Sequence, residues 1–496
     1  MRTSAAELRS TQGLIPALWS KWGIVSLLIG VLIAILPPQT VLFMLLIITV
    51  VIASLIDRRI ALIAMLTIAP FKVLTETEIP FFHDLPVDIG QITFFIFLAI
   101  WVAHPIAARR SLGLRWTPII LPLLLFIFTA SLSLWPTLNL WYTLKELAGW
   151  AEIAILIVVV TVMVREGGAG WVAAGLIVAG VVQALIGIYQ FFGGSGAPHL
   201  WILDFRYFRA FGTFGQPNPF GAFMGLMLAV TLGLLSAAVG NFWRFLRARR
   251  FTFRAILNPQ SSTLFFLLLA AGILAAGLLV SWSRGAWIGF IAAVFVIVIF
   301  APRRPAIGFS VAFILLVAGV FAFGAGLIPD SLVARISDFS TEFTGFDDVR
   351  GQVINDANYA VLERLAHWQA AVGMMNDNPW LGVGFGAYEV AYPKYALMNW
   401  PMALGHAHNY YLNLLAETGV VGFIGYTIAW LAIFVLTLRT LNRQSGLNRG
   451  LALGILGAFT HLMVHSLFDK LYVDNISLHI GVMLGLIGGL LILDQK

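Results

Sequence analysis

The sequence predicts an all-α integral membrane protein. Of its 496 residues, 60% are hydrophobic and only 11% charged, against roughly 45–50% and about 25% in an average soluble domain. Apolar runs close to the length that crosses a ~30 Å hydrocarbon core recur from end to end, so the chain reads as a single polytopic membrane domain, 1–496. The residue alternation of a transmembrane β-barrel is absent. Without cysteine there are no disulfides, iron–sulfur clusters or thiol chemistry, and a metal site would need histidines and carboxylates.

Taken in order, the expected spans are 15–36, 39–55, 60–75, 91–107, 118–135, 148–164, 170–192, 219–240, 263–281, 285–301, 307–328, 411–438, 449–468 and 475–493. Arg2, Arg9 and Lys21 accompany the first run as in a signal peptide. No small-residue cleavage site precedes Pro37 and Pro38, however, so the run is read as a retained helix. The first and third spans are marginal, and the break at Trp282–Gly285 is very short, so the total is about 14 with about 12 as the lower bound.

Alternate loops set the orientation. Positive charge concentrates at Arg58 and Arg59, at Arg109, Arg110 and Arg115, at Arg165, in the run from Arg244 to Arg254, at Arg303 and Arg304, and at Arg439, Arg443 and Arg449. By the positive-inside rule these loops are cytoplasmic. The loops 75–88, 193–218 and 329–410 then face outside, and both termini lie inside. This topology also accounts for the net charge of +7 without a nucleic-acid partner.

The only long polar interruption is 329–410, a large outer loop inserted in the membrane domain. A loop of that length is usually functional or disordered. Within it, 358–375 carries apolar residues at helical intervals, with Arg364 and Trp368 one turn apart. Asn378 and Pro379 end that helix. Gly382, Gly384 and Gly386 follow, and they read as a turn between two amphipathic helices, since the strand and Lys-Ser/Thr of a nucleotide loop are missing.

Where this loop re-enters the membrane stand His406, His408 and Asn409. Ionisable groups beside lipid are expensive and usually functional, and histidine is the natural base near neutral pH. The alternative is a pair of interfacial histidines hydrogen-bonded to backbone. A metal site is not expected, because no acids lie nearby in sequence. Glu417 sits about half a helical turn around from His408 and is not expected to pair with it. Arg284 lies between two apolar spans with almost no loop to solvate it. It either snorkels between Trp282 and Trp287 or grips a phosphate through its planar fork. Arg206 and Arg209 stand at an aromatic, turn-rich re-entry on the same side; alone they read equally as an interfacial belt. Together these residues form an outward constellation of permanent cations plus one titratable group, suited to diphosphate and glycan. Trp368, Tyr388, Tyr395 and Trp400 either stack on sugar rings or simply pack.

At these residues the sequence resembles the O-antigen ligase/polymerase superfamily, bacterial membrane glycosyltransferases of the GT-C class. The resemblance covers about 120 to 490. Its most specific marker is His-Asn-x-Tyr-Leu-x-x-Leu-x-Glu-x-Gly, matched by His408, Asn409, Tyr411, Leu412, Leu415, Glu417 and Gly419. Supporting matches are Arg209 through Gly221, Ser283-Arg284-Gly285, and Arg364, Trp368, Pro379, Gly382, Gly384 and Gly386.

The resemblance implies inverting transfer of a glycan from undecaprenyl diphosphate to a hydroxyl of a lipid-core, glycan or protein acceptor. The reaction would run at the outer face of the cytoplasmic membrane, with no cofactor, metal or nucleotide sugar. It assigns Arg209 and Arg284 to the diphosphate and His408 to acceptor activation, with His406 less firmly placed; Arg206 joins the cations from the sequence reading. Ligase activity is the first expectation and polymerase the alternative. A lipid or polysaccharide transporter is the alternative of another class, set against the lack of an inverted repeat.

Overall fold

The computed structural model describes residues 48–83, 85–194, 197, 200–203, 205–248, 259–328, 333, 348–355 and 358–493. The chain divides into two compact units, Met1–Ala61 and Leu62–Lys496. In the first, residues 48–56 are helical, and the expected span 15–36 and most of 39–55 lie outside the described residues.

The second unit is a helical bundle. After α1 (Arg58–Ile68) and the short α2 (Lys72–Glu78) come α3 (Ile89–Ala107), α4 (Ile120–Ser131), α5 (Leu140–Met163) and α6 (Ala169–Gly193). They are followed by α7 (Pro217–Ala248), α8 (Pro259–Val280), α9 (Arg284–Phe300) and α10 (Pro305–Gly324). The large loop contributes α11 (Tyr359–Asp377) and α12 (Tyr388–Tyr395), and the chain closes with α13 (Tyr410–Arg443), α14 (Gly446–His465) and α15 (Ile476–Leu493).

Among the described residues, nine helices are long and apolar enough to cross a membrane, and Ile120–Leu134 and Arg284–Phe300 are shorter apolar helices. One of the nine, Leu140–Gly193, is a 54-residue stretch. It joins α5 to α6 through a π-helical turn at Val164–Gly168, where Gly167 has φ 84°. The stretch thus holds two expected spans, and every expected span from 60 onward coincides with a helix. The protein is therefore a multi-pass membrane protein. Its sheet among the described residues is a two-stranded hairpin, Trp201–Ile202 against Tyr207–Phe208.

Small residues bring the central helices together. A Cβ on Gly233 of α7 would run into the backbone of Gly454 on α14, and one on Gly450 would meet the carbonyl of Gly233. On α15, Gly481, Gly485 and Gly489 face Ile153, Val160 and Val164 of α5 and the turn beyond it. Lipid is as apolar as leucine, so close backbone approach and dispersion, rather than hydrophobic burial, hold such helices together.

The glycines of the large loop have a partner in α13. That helix is broken at Gly419, with φ 62° and ψ −167°. The freed carbonyls of Ala416 and Glu417 accept from the N–H groups of Val383 and Gly384, while Val420 N–H donates to Pro379 O. A Cβ on Gly382 would strike the Glu417 backbone, and one on Gly419 the backbone of Trp380. The turn between α11 and α12 is thus docked backbone to backbone into a kinked membrane helix. Glu417 reinforces it: the side chain is buried and Oε1 accepts from Tyr388 N–H at 3.2 Å.

Candidate active site

The site is built where the large loop enters α13. Asn409 is the N-cap of that helix, its side-chain oxygen accepting from the N–H groups of Tyr411 (3.0 Å) and Leu412 (3.1 Å). The amide oxygen is therefore committed to the backbone. His408, immediately before it, adopts φ 52°, a left-handed conformation that costs a non-glycine residue free energy and tends to persist at functional sites. The His406-Ala407-His408 turn is braced from both sides: Ala407 N–H donates to Asn413 Oδ1 and His408 N–H to His406 Nδ1, both at 3.1 Å.

The acid missing from the sequence neighbourhood arrives from the far side of α14. Asp469 Oδ1 lies 3.4 Å from His406 Nε2 and 3.8 Å from His408 Nδ1. Its segment is tied to the histidines by Tyr410 N–H, which donates to Ser466 O at 2.8 Å. The next residue, Lys470, pairs with Glu146 of α5 at 3.1 Å. Burial by itself raises the Asp469 carboxyl, but the neighbouring imidazoles of His408, His406 and His465 hold it well below the usual carboxylate range. Burial pushes His406 down to about 3, against the opposing pull of Asp469. At neutral pH a neutral His406 therefore faces an ionised Asp469.

His406, His408 and Asp469 have one potential ligand atom each within 4.8 Å of one another, a spacing that could hold a metal ion. The hydrogen bonding favours a different use. His406 Nδ1 accepts a backbone N–H, so the neutral ring carries its proton on Nε2, the nitrogen facing Asp469. That nitrogen faces the carboxylate at 3.4 Å and, carrying the proton, has no lone pair for a cation.

The His408 ring nitrogens are buried without a hydrogen-bond partner among the described residues. With Asp469 near Nδ1, the proton belongs there and Nε2 is left as the acceptor. The other wall is His367 of α11, whose ring stands edge to face with His408 at 5.5 Å and is stacked on Tyr392 at 4.6 Å. His367 Nδ1 lies 3.0 Å from the Tyr388 hydroxyl. Burial, and next the charge of His408, lowers His367 to about 4. Tyr388 and Trp400 are buried in the loop's own small cores, so they pack rather than stack on a ligand.

The structure also brings the arginine segments to this region. Ala210 N–H, next to Arg209, donates to Val280 O at the end of α8. Ser283 Oγ is bonded to Asn218 Oδ1 at 2.9 Å, so the steps carrying Arg209 and Arg284 are stitched together. Gly285 packs against His465 and Phe468, the residues leading to Asp469. Arg364 acts electrostatically on His465, and it shares α11 with His367 and the half-buried Trp368. Arg206 is exposed in the hairpin turn. Tyr411 braces α13 on α14 through its hydroxyl, which donates to Met463 O at 2.8 Å.

Sequence reading missed Asp469, Lys470, Glu146 and His367. The available signal was Asp469 and Lys470 together at the end of an apolar span, where charge is costly unless paired.

Fold and site together define a multi-pass helical membrane protein with a histidine pair and an acid at the mouth of its bundle. Residues 264–427 match the model of the family described as O-antigen ligase (Wzy_C), which bears out the resemblance to the O-antigen ligase/polymerase superfamily. The matched stretch holds Arg284, Arg364, His367, His406 and His408; Arg209 and Asp469 lie outside it. No curated protein matches the chain.

Proposed function

We propose that this protein is a glycosyltransferase of the O-antigen ligase type. It moves a glycan from undecaprenyl diphosphate to an acceptor hydroxyl at the outer face of the cytoplasmic membrane. The observation that carries this reading is His408, held in a left-handed turn beside Asp469 with buried ring nitrogens. His408 Nε2 takes the proton from the acceptor O–H as that oxygen forms a bond to the anomeric carbon. The bond from that carbon to the diphosphate breaks on the opposite face, with inversion, and the lipid diphosphate leaves with the electron pair.

General-base assistance of this kind is worth roughly 10²–10⁴-fold. Asp469 acts as a positioning residue, fixing the His408 tautomer and stabilising the imidazolium, and it does not itself take the proton. Arg209 and Arg284 offset the charge that develops on the leaving diphosphate, a task fixed cations perform without a proton donor. Arg206, at the hairpin, guides the anionic donor toward them.

The test is transfer by the purified protein in detergent, offered lipid-linked oligosaccharide with a core-type lipid acceptor or alone. Product on the lipid acceptor identifies a ligase, and a ladder of longer lipid-linked chains identifies a polymerase. No covalent product with either substrate, together with intact substrate binding, returns the weight to transport.

A further inference from the structure

A cavity of about 350 Å³ opens between α5, the loop residues Gly386, Glu389 and Gly405, and the segment from Lys470 to Ser477. It touches the histidine site along the chain, since Gly405 and Lys470 are the immediate neighbours of His406 and Asp469. The Arg284 step meets the same segment at its other end, through His465 and Phe468. Gly405 and Lys470 thus join the cavity to the histidine turn, and Gly285 joins the arginine step to the segment that leads to Asp469.

The lining tells which of the two substrates fits. Five carboxyl side chains face the cavity against three lysines; Lys470 is paired with Glu146 at 3.1 Å and Lys72 with Asp88 at 3.9 Å, which leaves Glu152, Glu389 and Asp474 against Lys145. Such a wall repels a diphosphate and accepts hydrogen bonds from hydroxyl or ammonium donors. Tyr142 stands exposed at the rim. Deeper in, Trp150 and Tyr472 lie ring to ring at 4.8 Å. Flat aromatic surface beside convergent oxygen acceptors is the chemistry of a site for a polar ring.

Resting on the transferase reading above, we propose that this cavity is the acceptor subsite and that it takes a neutral or amino sugar rather than a uronic acid. Its ring lies against Tyr142, and its hydroxyls donate to Glu146 and Glu389 while one of them is presented to His408.

The experiment is saturation-transfer NMR on the full-length protein in detergent. Methyl β-glucoside and glucuronate serve as probes, with undecaprenyl diphosphate binding measured in parallel. The expected result is glucoside binding that Tyr142→Ala and Glu389→Gln each weaken by about fivefold, the loss of one ring contact or hydrogen bond, with far weaker glucuronate binding. Both variants should retain wild-type binding of undecaprenyl diphosphate, which shows that they are folded. No glucoside binding, equal binding by the folded variants, or equal binding of glucuronate overturns the proposal. Glucoside binding without diphosphate binding leaves a sugar site but removes the transferase reading and the acceptor role with it. Diphosphate binding without glucoside binding removes the subsite alone.

Discussion

Asp469 and His408 lie on opposite sides of two membrane-length helices in sequence, yet the carboxylate oxygen stands 3.8 Å from the imidazole Nδ1. The pair makes Asp469→Asn an informative substitution. The amide keeps the volume and loses the charge that orients His408 and stabilises its protonated form. Transfer should fall by about 10²–10⁴-fold in kcat, with little change in donor KM and with the acidic limb of the pH–rate profile altered. His408→Ala should abolish transfer while the protein still expresses and binds donor. Wild-type turnover in either variant would remove the base assignment.

The fold was legible because membrane helices announce themselves: each expected span from 60 onward became a helix, and only the break between α5 and α6 proved to be a kink rather than a loop. The site was half legible. His408, Arg284 and Arg364 stood out because charged groups beside apolar runs need a reason. Asp469 did not, since its partnership with His408 is made by the packing of α13 on α14 and leaves no trace in spacing. Asn409 has a structural task that its neighbourhood did not show: the start of α13 requires a cap, and the Asn409 side-chain oxygen supplies it. The glycines at Gly382 and Gly419 were visible singly, but that one makes room for the Glu417 backbone and the other for the Trp380 backbone follows only from the docked loop.

Arg284→Lys tests the diphosphate assignment. Lysine preserves the charge but replaces a planar fork with a point charge, so two parallel hydrogen bonds to one phosphate are no longer available. Donor affinity should drop about tenfold, as for the loss of one charge-assisted hydrogen bond. Titration with undecaprenyl diphosphate measures this directly. Unaltered affinity would return Arg284 to the snorkelling role.

Gly382→Ala tests the docking of the large loop. The new methyl would overlap the Glu417 backbone at a residue whose φ is 67°. Overpacking costs about 1–3 kcal/mol and the left-handed conformation about 1–2 kcal/mol more. Tm in detergent should fall, and the turn between α11 and α12 should become more susceptible to limited proteolysis. A variant as stable and as protected as wild type would show that the backbone ladder with α13 is dispensable.

Chelation separates the two uses of the His406, His408 and Asp469 cluster. If the neutral His406 ring carries its proton on Nε2, as the hydrogen bond at Nδ1 requires, EDTA should leave transfer rates unchanged and added zinc should inhibit by competing for the unprotonated nitrogen of His408. Activity lost to EDTA and restored by one divalent metal would assign the cluster to a cation instead.

Acid should destabilise the protein earlier than carboxylate titration alone predicts. His406 and His367 are held neutral by burial, at about 3 and about 4, against about 6.5 in an unfolded chain. Between those values the unfolded state binds more protons than the folded one, so stability rises with pH and is lost as pH falls from about 6.5 toward 4. Asp469 has the same sign at lower pH: its depressed carboxyl stabilises the fold above the ordinary carboxylate range and that contribution disappears as the group protonates. Thermal unfolding in detergent should therefore show Tm declining across pH 6.5 to 4, and His367→Asn should shallow the decline because one of the two groups that must protonate is gone. A Tm that stays flat down to the range of ordinary carboxylates would mean that these rings are solvated in the folded protein, and the buried setting of the His408 ring nitrogens would be in question with them.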